Sequence, residues 1–60
     1  MTFTDYELIQ IENAFETVMD YIEDGELSLE DAVTEASYIH DLDENQITAL
    51  HKCIVILSRK

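Results

Sequence analysis

Proline is absent from this chain of 60 residues, glycine and cysteine each occur once, and only three lysines and arginines face fourteen aspartates and glutamates. With no proline and one glycine, few positions force a helix to break, so long uninterrupted elements are expected. The lone cysteine, Cys53, excludes an internal disulfide. That matters because a domain of this size buries only about 60% of the surface of its unfolded chain and has a slim stability margin. Regular helix packing, with or without self-association, must stabilise it instead. Long apolar runs are missing too. The longest, Cys53-Ile54-Val55-Ile56-Leu57, is far short of the roughly 20 residues of a membrane span. The opening Met1-Thr2-Phe3-Thr4-Asp5 has no basic region ahead of an apolar stretch, so a signal peptide is not expected. A cytoplasmic location is the expectation, and a single reduced thiol suits it.

The scarcity of bases leaves a net charge of −11. Such a chain is repelled by nucleic acid and by anionic lipid, so neither direct nucleic-acid binding nor membrane attachment is expected. A partner chosen by charge would be a protein with a basic surface. At 47% hydrophobic residues, the composition is that of a folded domain rather than a disordered tail.

Three segments carry the same start signal. Thr4 with Glu7, Ser28 with Asp31, and Asp43 with Gln46 each read as a capping box. Around them, Phe3 with Leu8, Leu27 with Ala32, and Leu42 with Ile47 read as hydrophobic staples. The first helix is predicted from about Asp5 to about Glu23, with Leu8, Ile11, Phe15, Val18 and Ile22 on one face, Met19 widening it, and Gly25 as the stop. The second runs from about Leu29 to about His40, with Leu29, Ala32, Val33, Ala36 and Ile39 inward. The third runs from about Glu44 to about Ser58, with Ile47, Leu50, Ile54 and Leu57 inward and Lys52, Arg59 and Lys60 towards its C-terminal, negative dipole end. Short loops favour antiparallel neighbours. The fold class is therefore all-α, a single compact three-helix bundle over residues 1–60, with or without completion of its core by dimerisation, and the rival is a long hairpin that completes its core by dimerising. The β-branched run near Val55 does not read as a strand, because a lone strand has no sheet to join.

Four features bear on function. The first is a stripe of acids. At about 100° per residue, Asp5, Glu12, Glu16, Asp20 and Glu23 fall within one quadrant of the first helix, beside its apolar face. Neighbours in such a row stand about 6 Å apart, comparable to successive phosphates along a nucleic-acid strand. The row therefore suits a basic groove built for nucleic acid. Glu26, Glu30, Asp31 and Glu35 carry the charge onto the second helix. The competing reading is a solvated face that keeps the protein soluble. Against it, the first helix contains no base at all, and like charges four residues apart cost a few tenths of a kcal/mol each.

The second feature is a partial EF-hand spacing formed by Asp20, Asp24, Gly25, Leu27, Ser28 and Asp31. Ile22 stands where an oxygen ligand belongs, and Asp31 where the bidentate Glu belongs. A helix stop at Gly25 followed by a cap at Ser28 explains the same residues, so no metal ligand and no cofactor is expected. A calcium-responsive module is the least favoured alternative.

The third is the pair His51 and Cys53. Two residues apart on a helix, they point about 200° from each other and cannot share a metal. A His-Cys nucleophile pair needs an orienting third group and a pocket, for which so small a bundle has little room. Cys53 reads as a small apolar filler. No catalytic residue is assigned, and the chain is not expected to be an enzyme.

The fourth is apolar surface left over. Val55 and Ile56 point away from the inward stripe of the third helix, and Tyr6, Tyr21 and Tyr38 lie partly off the core faces. Such residues suit an interface.

Together these features lead to a non-enzymatic binding protein that inhibits or modulates a partner with a basic, nucleic-acid-binding surface. The expected partner-binding set is Asp5, Glu12, Glu16, Asp20, Tyr21, Glu23, Glu30 and Glu35. Small acidic helical proteins encoded by phages as antagonists of host proteins offer an analogy of size and charge only. The alternative is a structural or adaptor subunit that forms a homodimer through Val55 and Ile56.

Overall fold

Capping chemistry sets the helix boundaries. In the computed structural model, which describes residues 2–58 (the Ser58 side chain excepted), α1 spans Asp5–Asp24, α2 Leu29–Ile39 and α3 Glu44–Ser58. At the start of α1, Thr4 Oγ1 accepts from the Glu7 backbone N–H at 3.2 Å, and Glu7 Oε1 accepts from the Thr4 N–H at 2.9 Å. At the start of α3, Asp43 Oδ1 accepts from the Gln46 N–H at 2.8 Å, and Gln46 Oε1 accepts from the Asp43 N–H at 3.0 Å. The cap of α2 is one-sided, with Ser28 Oγ accepting from the Asp31 N–H at 3.3 Å.

The first two helices end alike. Gly25 takes a left-handed φ of 72°, its N–H donates to the Ile22 carbonyl at 3.0 Å, and the Glu26 N–H donates to the Tyr21 carbonyl at 3.3 Å. Asp41, with φ 53°, repeats the pattern on α2. Its N–H donates to the Tyr38 carbonyl at 3.3 Å, and the Leu42 N–H donates to the Ser37 carbonyl at 3.0 Å. Both are Schellman closures, which satisfy carbonyls the helix leaves open.

The protein is an all-α three-helix bundle. Its core consists of Ile11, Ala14 and Val18 of α1, Ala32, Val33 and Ala36 of α2, and Leu50 and Ile54 of α3. Among them Leu50, Val18 and Val33 are the largest fully buried side chains. Phe3, Leu27 and Leu42, the residues ahead of the three caps, pack against this core. So do Phe15, Tyr21, Ile47 and Ala49.

The buried faces are rotated from those that periodicity suggests. On α1 the buried arc centres on Ala14, Val18 and Ile11, about 60° around the helix from the middle of the expected stripe at about 100° per residue. Leu8 and Ile22 are consequently 50% and 37% exposed rather than inward. On α2 the arc turns towards Ser37, which is buried and donates from Oγ to the Val33 carbonyl at 2.7 Å. Ile39, expected inward, lies on the opposite edge and is exposed, as is Leu29 at the first position of α2. Leu57, in the last turn of α3, is exposed for the same end-of-helix reason. Lys52 sits more than a turn before the end of α3 and does not serve its dipole. Arg59 and Lys60 lie outside the described residues.

A polar clip ties the helices together at one end. Gln46, buried on α3, donates from Nε2 to Gln10 Oε1 at 2.9 Å and to the Glu7 carbonyl at 3.2 Å on α1. Gln10 Nε2 in turn donates to the His40 carbonyl at 3.2 Å, just after α2. The Thr17 hydroxyl donates to the Asn13 carbonyl at 3.1 Å, so its oxygen is left to accept from His40 Nε2 at 2.8 Å. Among the described residues no buried side-chain N or O lacks a partner.

Candidate functional site: an apolar groove with an acidic wall

The rotation of α1 creates the site. Leu8, Met19 and Ile22, turned out of the core, join the partly buried Phe15 in a shoulder that faces α3 across an open groove. Two adjoining hollows make it up. One of about 500 Å³ is lined by Leu8, Ile11, Glu12, Phe15, Cys53, Ile56 and Leu57. The other, of about 270 Å³, shares Phe15 and Leu57 and adds Met19, Ile22, Leu29 and Ile54. From Leu8 to Ile22 the groove follows α1 for about 21 Å at a rise of about 1.5 Å per residue. Leu8, Met19, Ile22, Leu29, Ile56 and Leu57 along it are each more than a third exposed. A continuous apolar surface of this kind marks an interaction site more often than it occurs idly.

Beyond this shoulder, around α1, comes the acid stripe. Asp5, Glu12, Glu16, Asp20 and Glu23 are all exposed, and Glu12 itself forms part of the groove lining. The order around the helix is thus buried core, apolar shoulder, carboxylates. Glu12 gives the groove an acidic margin on its α1 side, and the rest of the exposed stripe continues from it around the helix, away from the core. Glu30 and Glu35 are exposed on α2. Tyr21, placed with the acids in the expected contact set, is half-buried against the core and offers only an edge. Tyr6 and Tyr38 are the exposed tyrosines, at 70% and 86%.

Val55 and Ile56 are exposed, as their positions on α3 suggested. They differ in surroundings. Both line the outer face of α3 with Thr48, His51 and Lys52, but only Ile56 also lines the groove. The groove is therefore acidic along α1, and its α3 side leads over Ile56 to a lysine.

The other sequence features separate in space. Asp20, Ile22 and Asp24 lie inside the regular helix α1, so the calcium-loop spacing does not correspond to a loop. Among the described residues no three His, Cys, Asp or Glu side chains come together as a metal site requires. His51 lines a hollow between α2 and α3 with Tyr38 and Asp41, while Cys53 lines the groove on the other side of α3. No helix among the described residues is long and apolar enough to cross a membrane.

Reading the sequence alone missed the groove because it assigned Leu8, Ile22, Leu29 and Leu57 to the core. A signal was present. The apolar positions of α1, from Ala14 round to Met19, span about 140° of the helix at about 100° per residue, more than two short neighbours can cover. Compared with protein-family models, with curated proteins and with solved structures, the chain matches none.

Proposed function

We propose that this is a non-enzymatic binding protein that inhibits or modulates a partner by laying the carboxylate wall of α1 on a basic, nucleic-acid-binding surface. The observation that carries this reading is the continuity of an exposed, base-free acid stripe with an exposed apolar groove along the same helix. Carboxylates steer the encounter and set its specificity, and the apolar residues supply the desolvated contacts that hold the complex. Charge alone would leave a weak, strongly screened association.

The test is charge reversal. Glu12→Lys, Glu16→Lys and Asp20→Lys together should abolish capture of the partner from cell lysate, and of the purified partner in titration. The variant should remain as helical by circular dichroism, because all three residues are exposed and reversal relieves like-charge crowding. Binding by the unaltered protein should weaken as salt rises. Intact binding by the reversed protein refutes the reading.

One observation favours a second reading, a homodimeric adaptor. Val55 and Ile56 are 46% and 62% exposed on α3, costly to leave in water on so small a domain. Sedimentation at increasing concentration distinguishes the two readings.

A further inference from the structure

The groove has a definite shape and an asymmetric charge, and these select an occupant. Resting on the reading of the protein as a binder of basic partners, we propose that the α1–α3 groove is the receptor for an amphipathic helix of the partner, with lysines or arginines along one flank of its apolar stripe. The groove's length of about 21 Å matches a helix of about 14 residues. Its floor and sides are aliphatic and aromatic, with Phe15 and Leu57 shared between the two hollows. An apolar ridge at three- and four-residue steps fits such a slot. On the α1 side Glu12 lines the groove and the exposed carboxylates of Glu16, Asp20 and Glu23 follow it around the helix, so the flank of the ligand helix beside α1 is cationic. Past Ile56, the outer face of α3 holds Lys52, so the opposite flank is not.

Charge argues against a second copy in the groove. Each chain has fourteen acids and three bases, so a second copy brings the same large negative charge to a groove whose α1 side is already acidic. Nucleic acid and anionic lipid are repelled by the same charge. A cationic amphipathic helix satisfies the apolar floor and the acidic side at once.

The probe is a synthetic helix of about 15 residues with leucines at three- and four-residue steps and lysines confined to one flank. Its controls are a scrambled peptide of identical composition and a version with glutamates replacing the lysines. The full-length protein, titrated at physiological salt, should bind the patterned lysine peptide at least about tenfold more tightly than either control. Leu8→Ser with Ile56→Ser leaves the net charge untouched and removes two exposed groove residues. It should weaken that binding by about tenfold or more, with helicity retained. Equal binding of the scrambled peptide, or undiminished binding by the doubly substituted protein, overturns the groove as receptor. So does a stable dimer in sedimentation that Ile56→Ser dissociates, because a second copy then fills the slot. If the peptide fails while charge reversal on α1 still abolishes capture of a partner, the groove assignment falls and the basic-surface reading stands. If charge reversal also has no effect, both fall.

Discussion

Helix α1 has two neighbours and treats them differently. It lies against α2 along more of its length than against α3. On the α2 side the buried residues are small, with Ala14, Ala32 and Ala36 fully excluded from solvent, and the rim is fastened by Gln10, Thr17 and His40. On the α3 side the residues are large, and Leu8, Phe15, Met19 and Leu57 are only partly covered. Small side chains let two helix backbones approach and close a seam. Large ones hold the backbones apart and need a further layer to cover them. Among the described residues no fourth element supplies that layer. The closed seam excludes water from the core, and the open one leaves apolar side chains exposed, where we propose that a partner docks.

The strongest test of this contrast compares one substitution at both places. Leu50, in the closed core, is fully buried. Leu50→Ala should cost about 2–5 kcal/mol, a large fraction of the stability of so small a domain. Leu8→Ala, at a residue half exposed on the open seam, loses about half the burial and should cost about 1 kcal/mol or less. Urea unfolding of the two variants reads the difference. Equal costs would mean that the groove is packed in solution and that the two seams are alike.

A second test overfills the closed seam. Ala36 has no exposed surface, so Ala36→Leu must force α1 and α2 apart and should cost about 1–3 kcal/mol. Thermal unfolding checks it. An unchanged or raised melting temperature would show spare room where the small residues imply none.

Whatever depends on a few adjacent residues was legible in the sequence. The caps at Thr4, Ser28 and Asp43 and the stop at Gly25 form where their side-chain chemistry indicates, because a cap is a contact between residues three or four apart. The acid stripe was legible for the same reason, since a helix alone fixes its spacing. What required the third dimension was how far each apolar face is covered. Periodicity finds the face but not the angle at which neighbours meet it, so Leu8, Ile22, Leu29, Ile39 and Leu57 were placed inward although they are exposed. Ala14 and Ser37 went unnoticed although they are buried. Gln46 was legible as a cap partner, but its bonds to Gln10 and the Glu7 carbonyl, between α3 and α1, have no local signature.

The smallest effect concerns the residue that ends α2 where the closed seam is fastened. Asp41 holds the same left-handed position that Gly25 holds after α1. A side chain there costs conformational energy that glycine avoids, although aspartate tolerates it better than most residues. Its carboxylate also stands at the negative end of the α2 dipole, a second mild penalty. Both terms act against the turn that holds His40, whose carbonyl accepts from Gln10 and whose ring meets Thr17. Asp41→Gly should therefore stabilise the protein by about 0.5 kcal/mol, the relief of strain being partly offset by the greater freedom of glycine in the unfolded chain. Asp41→Asn keeps a residue suited to the left-handed region and removes the charge, so the gap between the two variants separates strain from electrostatics. The converse at Gly25 completes the comparison. No atom lies within 4 Å of an added Cβ there, so Gly25→Ala meets no clash and its cost, about 1 kcal/mol, is conformational alone. Unfolding of these three variants in urea would refute the account if Asp41→Gly destabilised the protein, since the turn would then depend on the aspartate side chain itself.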